Sequence, residues 1–377
     1  MHLRLYLTTL NPTDSVTRGF LPAAKALGWE ITVLTDRPEA YPGHDTIQAD
    51  VRDPKTVIDV IARHHRPDVI FSNSDHLQVE TALAADYFGL PGKDWRACLT
   101  AKNKALTRHA LGDVRSARLV PGEPLPDVTF PVVVKPREGV ASEDVVLVRE
   151  NLQEAADDIW TRRPGTVLVA EEYLEGPLMT LETLGDGTTT RILGGFRTTL
   201  GPLPHFVEER LDWSADLPGA AEVLNRLAGL NIGFGACHTE YVLTGEGPRI
   251  VEVNYRVIGD NCDLLLADHL DVPLFEWILR VHAGEPAPEV PPTTGHAATV
   301  SVLATRSGTI MKAPKELTGA YEDVRLWHLP LKEAGQPVSV TNTNRDYLAL
   351  LRAVGPDREA VDTAAKAFLD AHPWVVA

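Results

Sequence analysis

Two short apolar runs, 238–243 and 249–253, flank Thr244-Gly245-Glu246-Gly247-Pro248. Two glycines and a proline within five residues require a turn, and strand-type runs on both sides make it an antiparallel hairpin. Pleating then decides which side chains face the same way. Glu252 and Asn254 lie two apart and share a face, and a turn centred on Gly245-Glu246-Gly247 brings Glu240 opposite them. Two carboxylates beside Ile250, Val251 and Val253 are costly unless a cation neutralises them. Oxygen donors of this kind suit magnesium, with water and phosphate oxygens completing the shell. The plainer alternative is a solvent-facing sheet with ordinary alternating polar residues.

Before this hairpin, residues 1–95 alternate apolar runs (3–8, 31–35 and 69–72) with helical patterns, which predicts a parallel sheet with covering helices. The first turn, Thr8-Thr9-Leu10-Asn11-Pro12, lacks the glycine pattern of a dinucleotide site, so a Rossmann-like outline does not imply NAD. Asn11, Ser74 and Asp75 fall at strand ends, where open α/β sheets place ligand contacts. They are expected to shape a substrate pocket, although loops favour these residue types anyway. A helix over 100–111 carries Lys102, Lys104 and Arg108, and the last two share a face that is either functional or simply solvated. An apolar strand, 130–136, ends at Lys135, whose compact ammonium suits phosphate oxygens, unless it is an exposed strand-end lysine. The loop Arg137-Glu138-Gly139-Val140-Ala141-Ser142 then offers backbone N–H groups, and a second strand follows at 145–148. Another strand, 166–170, leads into Glu171-Glu172-Tyr173-Leu174-Glu175-Gly176-Pro177. A further hairpin is expected at 179–184 and 190–194, and a linker at 285–292 precedes a mixed tail with a terminal helix over 358–372.

Composition narrows the function. The chain has 377 residues, enough for two or three compact units, with 44% hydrophobic and 23% charged residues in globular proportion. A formal charge of −16 weighs against nucleic acid as the main partner. No apolar run approaches the roughly 20 residues of a membrane span, and the first residues do not read as a secretion signal, so a cytoplasmic protein is expected. Cys98, Cys237 and Cys262 form neither a metal-ligand pattern nor a disulfide framework.

Taken in order, the front α/β segment, the lysine helix, Val-Val-Lys-Pro, Glu-Glu-Tyr-Leu-Glu-Gly and Glu-Val-Asn-x-Arg resemble the ATP-grasp superfamily over nearly the whole chain. Within it the chain looks most like the bacterial L-amino-acid (dipeptide) ligases and related carboxylate–amine ligases, including those of siderophore pathways. The resemblance implies an α/β (α+β) ATP-grasp fold in four parts. These are a Rossmann-like domain (1–95), a small nucleotide-binding lobe with its linking helix (96–175), a large catalytic lobe (176–295) and a mixed C-terminal domain closing the cleft (296–377). It implies that Lys104 and Lys135 contact ATP phosphates and that the backbone of Glu171 and Leu174 meets the adenine. Glu240, Glu252 and Asn254 would hold magnesium, or manganese in its place, and Arg256 would face the reacting carboxyl and phosphoryl groups. The implied substrates are a small carboxylic acid and a small amine or amino acid joined through an acyl phosphate, and a homodimer is one assembly the resemblance allows. Two departures stand out. Leu178 occupies the place of a ribose-binding glutamate, leaving Glu182 as a substitute, and Ser142-Glu143-Asp144-Val145 lacks the glycine usual in the phosphate-covering loop. Carboxylation, thioester formation or nucleotide binding without catalysis are the rival readings.

Overall fold

The computed structural model describes residues 2–139 and 141–377, so Met1 and Val140 of the 137–142 loop lie outside the described residues. The amino-terminal strands β1 (Arg4–Thr8), β2 (Glu30–Thr35), β3 (Asp45–Gln48) and β4 (Val69–Phe71) form a parallel sheet in the order β3-β2-β1-β4. Its central strands read as nearly unbroken apolar runs because both faces are covered. Leu5, Leu7 and Phe71 pack on the side of α1 (Leu21–Ala26), while Tyr6, Leu34 and Ile70 pack on the side of α2 (Pro54–Arg63) and α3 (Gln78–Tyr87). Strand β3 was not expected: its Asp-Thr-Ile-Gln has one apolar residue, as suits a sheet edge.

The single helix expected over 100–111 is two, α4 (Trp95–Lys102) and α5 (Lys104–Leu111). Asn103 leaves helical geometry at φ −100° and ψ 102°, and its side chain accepts the N–H groups of Ala105 and Leu106, so it caps the second helix. The break separates Lys102 from Lys104 and turns them to different partners.

Strands β5 (Ser116–Leu119), β6 (Val132–Pro136), β7 (Val146–Val148) and β8 (Leu168–Glu172) make an antiparallel sheet ordered β5-β8-β6-β7. Helix α6 (Leu152–Arg162) covers it, burying Leu152, Ala156 and Ile159 against Val132 and Val134. The largest sheet is built from β9 (Leu178–Asp186), β10 (Thr190–Leu200), β11 (Glu208–Ser214), β12 (Phe234–Thr244), β13 (Gly247–Asn254) and β14 (His296–Leu303). It continues with β16 (Leu317–Tyr321), β17 (Val324–Pro330) and β19 (Tyr347–Gly355), in the order β13-β12-β9-β10-β11-β14-β19-β17-β16. Strand β14 follows the proline-rich 285–292 segment and pairs with β11, so one sheet runs through both 176–295 and 296–377. Strands β15 (Gly308–Lys312), β18 (Pro337–Val338) and β20 (Val375–Val376) form a small sheet beside it. Of the remaining helices, α7 (Ala220–Gly229) packs on β13, and α8 (Cys262–Leu270) and α9 (Leu274–His282) join the front sheet to the large one. Helix α10 (Arg358–Ala371) covers β14, β17 and β19. Among the described residues no helix is long and apolar enough to cross a membrane.

Candidate active site

The β12–β13 hairpin places its polar residues on one face. Its register sets Glu240 opposite Glu252 and His238 opposite Asn254, with a bulge just after Glu240. The turn is held by Thr244 Oγ1 donating to the carbonyl of Gly247 at 2.8 Å, and Gly247 takes φ 104°, a backbone state that excludes most side chains. Strand β9 extends the same face, since Thr180 lies opposite Glu240 and Glu182 opposite His238.

Two lysines meet these carboxylates from other elements. Lys104 opens α5 and donates from Nζ to Glu252 Oε1 at 2.8 Å; it is 7% exposed, which removes the reading of a solvated basic face. Burial opposes its charge, but Glu252, Glu171 and Asp75 outweigh it and raise its pKa. On the small sheet Val133 and Lys135 share a face with Glu171, and Lys135 Nζ pairs with Glu171 Oε2 at 2.7 Å. Burial, with Arg108 and Lys104 nearby, holds the Lys135 ammonium below its ordinary value in spite of Glu171. Arg108 donates from Nε to Glu171 Oε1 at 3.0 Å, and its two terminal nitrogens donate to the carbonyls of Ile250 and Val251. It thereby ties the edge of β13 to α5 and the small sheet.

These groups open on one cleft of about 700 Å³ lined by Lys104, Lys135, Glu171, Leu174, Leu178, Glu240, Glu252, Asn254 and Arg256. Arg256 reaches it from the turn after β13, not from a continued strand, because β13 ends at Asn254. Its Nη1 donates to the carbonyl of Val257 at 2.8 Å, and among the described residues it forms no ion pair with Asp260 or Asp263. Asn254 is 7% exposed as a whole residue and lines the cleft, and among the described residues its side-chain amide has no protein hydrogen-bond partner. An amide open to the cleft beside two carboxylates fits a ligand set for a hard cation. No group of three or more His, Cys, Asp or Glu side chains among the described residues is arranged to bind a metal alone.

Three expected contacts are placed differently in the structure. Glu182 does not reach the cleft surface: it is 1% exposed, and its Oε1 accepts from Thr180 Oγ1 and from His238 Nδ1, both at 2.7 Å. It holds His238 and does not line the cleft. Glu171 enters through its carboxylate, since its backbone sits in β8 between Ser116 and Val133. Asn11, Ser74 and Asp75 do not line the cleft; the Asn11 amide accepts from Arg37, and Asp75 pairs with Lys102. The acids of the loop, Glu143 and Asp144, point to arginines.

Sequence reasoning missed His238 and Glu208. His238 Nε2 lies 3.4 Å from Glu240 Oε1, and although burial opposes its charge, Glu182 and Glu240 raise its pKa to about 10. Its place two residues before Glu240 on a strand was the available signal. Glu208 opens β11, with its N–H donating to Asn344 Oδ1 at 3.0 Å and its carbonyl accepting from Tyr347 Oη at 2.8 Å. Burial, then the Glu240 and Asp260 carboxylates, push its carboxyl up to about 8. Nothing around Glu208 in the sequence marks it, because its partners come from β12 and the tail.

Comparison with known proteins agrees on the fold. No protein-family model matches the chain. It is 28% identical over 324 residues to an uncharacterised protein of Sinorhizobium fredii, covering 77% of this chain and 64% of that protein. It is 26% identical over 302 residues to a phosphoribosylamine–glycine ligase of Phenylobacterium zucineum, covering 73% and 64%. The matches thus span a little under two thirds of these curated relatives. The L-amino acid ligase of Bacillus licheniformis superposes with a TM-score of 0.78 at 19% identity over 100% of this chain and 98% of that one. The biotin carboxylase domain of the Hydrogenobacter thermophilus 2-oxoglutarate carboxylase, solved with magnesium ADP and bicarbonate, gives 0.71 at 15%, covering 100% and 91%. The chain has the ATP-grasp fold.

Proposed function

We propose that this chain is an ATP-dependent, ADP-forming carboxylate–amine ligase. One observation carries the reading: Glu240, Glu252 and Asn254, together with Lys104, Lys135 and Arg256, line a single cleft in this fold. Each group has a role suited to its chemistry. Lys104 and Lys135 hold ATP phosphates, and Leu174 and Leu178 flank the nucleotide. Magnesium would be held by Glu240, Glu252 and the open amide of Asn254, and when bound it neutralises phosphate charge.

A carboxylate resists attack by an amine because of its negative charge, and phosphorylation removes that obstacle. The substrate carboxylate attacks the γ-phosphorus of ATP, an O–P bond forms, and the bond to the ADP oxygen breaks. Lys135 offsets charge on the transferred group, while the planar fork of Arg256 holds carboxylate and phosphoryl oxygens. A neutral amine then attacks the acyl carbon, phosphate leaves, and the amine's surplus proton passes to solvent. Arg256 stabilises the oxyanion between these steps.

The likeness to an L-amino acid ligase favours an amine acceptor, and amino-acid, peptide or siderophore synthesis would be its setting. Carboxylation is the second reading, because one similar structure holds bicarbonate. A phosphate-release screen of acids, including citrate and amino acids, against amines, bicarbonate and thiols tests both, with mass detection of products. Acid-dependent phosphate release that requires an amine supports the ligase; release that requires bicarbonate and no amine replaces it with a carboxylase. ATP binding without acid-dependent turnover across the panel would make the chain a nucleotide-binding module.

A further inference from the structure

The loop after β6 departs from glycine-rich phosphate-covering loops in a way the structure explains. Ala141, Ser142 and Asp144 take φ values of 59°, 52° and 56°, a left-handed state that residues with a Cβ rarely adopt. Something outside the loop must hold it there. Asp144 accepts from Arg162 Nη2 at 2.8 Å and from Arg163 Nε at 2.5 Å, both at the end of α6. Glu143 pairs with Arg163 and, across the cleft, with Arg345 Nε at 2.6 Å. The carbonyl of Ala141 accepts from the N–H of Asn344 at 3.1 Å.

The far side of this contact is held by hydrogen bonds of its own. Asp346, 3% exposed, accepts from the N–H groups of Thr341 and Asn342 at 2.9 and 2.7 Å and from Thr341 Oγ1 at 2.6 Å. The side chain of Asn344 also accepts the N–H of Glu208. The 341–346 turn therefore presents Arg345 from a fixed base on the large sheet. Three guanidiniums, Arg162, Arg163 and Arg345, face two carboxylates, so the acids do not leave a net negative charge beside the phosphates.

We infer that Arg345 and Glu143 form a clasp between the tail and the phosphate-covering loop, making Arg345 a positioning residue that keeps the loop shut while the acyl phosphate exists. The inference rests on the proposed ligase reaction for its consequence but not for its geometry. A shut loop keeps water from the acyl phosphate, whose hydrolysis would release phosphate without amide. The clasp is one partly exposed pair with a backbone bond beside it, so its loss loosens the loop without unfolding the chain.

The experiment compares the full chain with Arg345→Gln, Arg345→Lys and Glu143→Gln. Hydrogen exchange is followed over 141–147 and 341–346, with and without magnesium ADP, and phosphate released per amide formed is measured once a substrate pair is known. Arg345→Gln and Glu143→Gln are expected to speed exchange in both segments by about threefold, the size of a partly exposed ion pair. They should also raise the phosphate-to-amide ratio with kcat for phosphate release little changed, while Arg345→Lys recovers part of both. Should one variant fail to fold, the other still decides. Unchanged exchange in both segments overturns the clasp, whatever the activity. Faster exchange with an unchanged phosphate-to-amide ratio overturns the positioning role. If the parent turns over no substrate, the ligase reading fails while exchange still settles the clasp.

Discussion

Glu240 and Glu252 stand opposite each other on adjacent antiparallel strands, and the Lys104 ammonium lies 2.8 Å from the second of them. Two half-buried carboxylates at one cross-strand position repel each other, so they persist only where cations are near. Lys104 supplies one such charge beside Glu252 and His238 a second beside Glu240, and the proposed magnesium would add to them once ATP is bound.

Replacing Glu252 with Gln keeps the volume, removes one charge and weakens the hold on Lys104. Turnover should fall by about 100-fold, in the range expected for loss of a well-placed charged group, with little change in Tm. Steady-state phosphate release at saturating magnesium, with a thermal melt of both proteins, checks this. Near-parental activity would take Glu252 out of the metal site.

Lys135 is bound into a buried triad with Glu171 and Arg108, so Lys135→Ala acts twice. ATP affinity should fall by about tenfold through a lost charge-assisted bond. Stability should fall as well, although Arg108 still pairs with Glu171. Calorimetric titration with ATP and urea unfolding measure the two separately. Equal ATP affinity in mutant and parent would contradict phosphate contact by Lys135.

Arg256→Lys retains the charge and loses the planar fork. At saturating ATP and magnesium, kcat/KM for the acid should drop by a factor equivalent to about 2 kcal/mol. Indistinguishable values would remove Arg256 from the reacting centre.

Glu208 and His238 each contribute stability that declines as pH rises, because they hold protons more tightly in the folded chain than in the unfolded one. Burial and neighbouring carboxylates push the folded Glu208 carboxyl up to about 8 from an ordinary 4.5. Its contribution is present in full below the unfolded value and is lost as pH climbs through the folded one. His238, at about 10 against 6.5, contributes in the same sense over a higher window. Urea unfolding from pH 5 to 10 should show stability falling less, or rising more, between pH 5 and 8 in Glu208→Gln than in the parent. An identical pH profile for the two proteins would show that Glu208 does not titrate in this way.

Much of the β12–β13 hairpin was legible in the chain itself. A turn rich in glycine and proline between two apolar runs determines an antiparallel pair, and the two-residue period of a strand places Glu252 with Asn254 and aims Glu240 at them. Lys135 could be read likewise, as the polar end of a valine-rich strand, and Asn103 was a cap visible only in hindsight, since it interrupts an otherwise helical run. What the sequence could not determine were meetings between distant segments. Lys104 and Glu252 are 148 residues apart, His238 and Glu182 are 56 apart, and Arg345 lies 202 residues beyond Glu143. Local periodicity says which face a side chain takes on its own strand or helix, but not which element will cover that face. Only the packing of the small sheet, the large sheet and the tail around one cleft decided that Glu182 holds a histidine, that Glu171 holds two cations, and that two acids in a loop meet arginines.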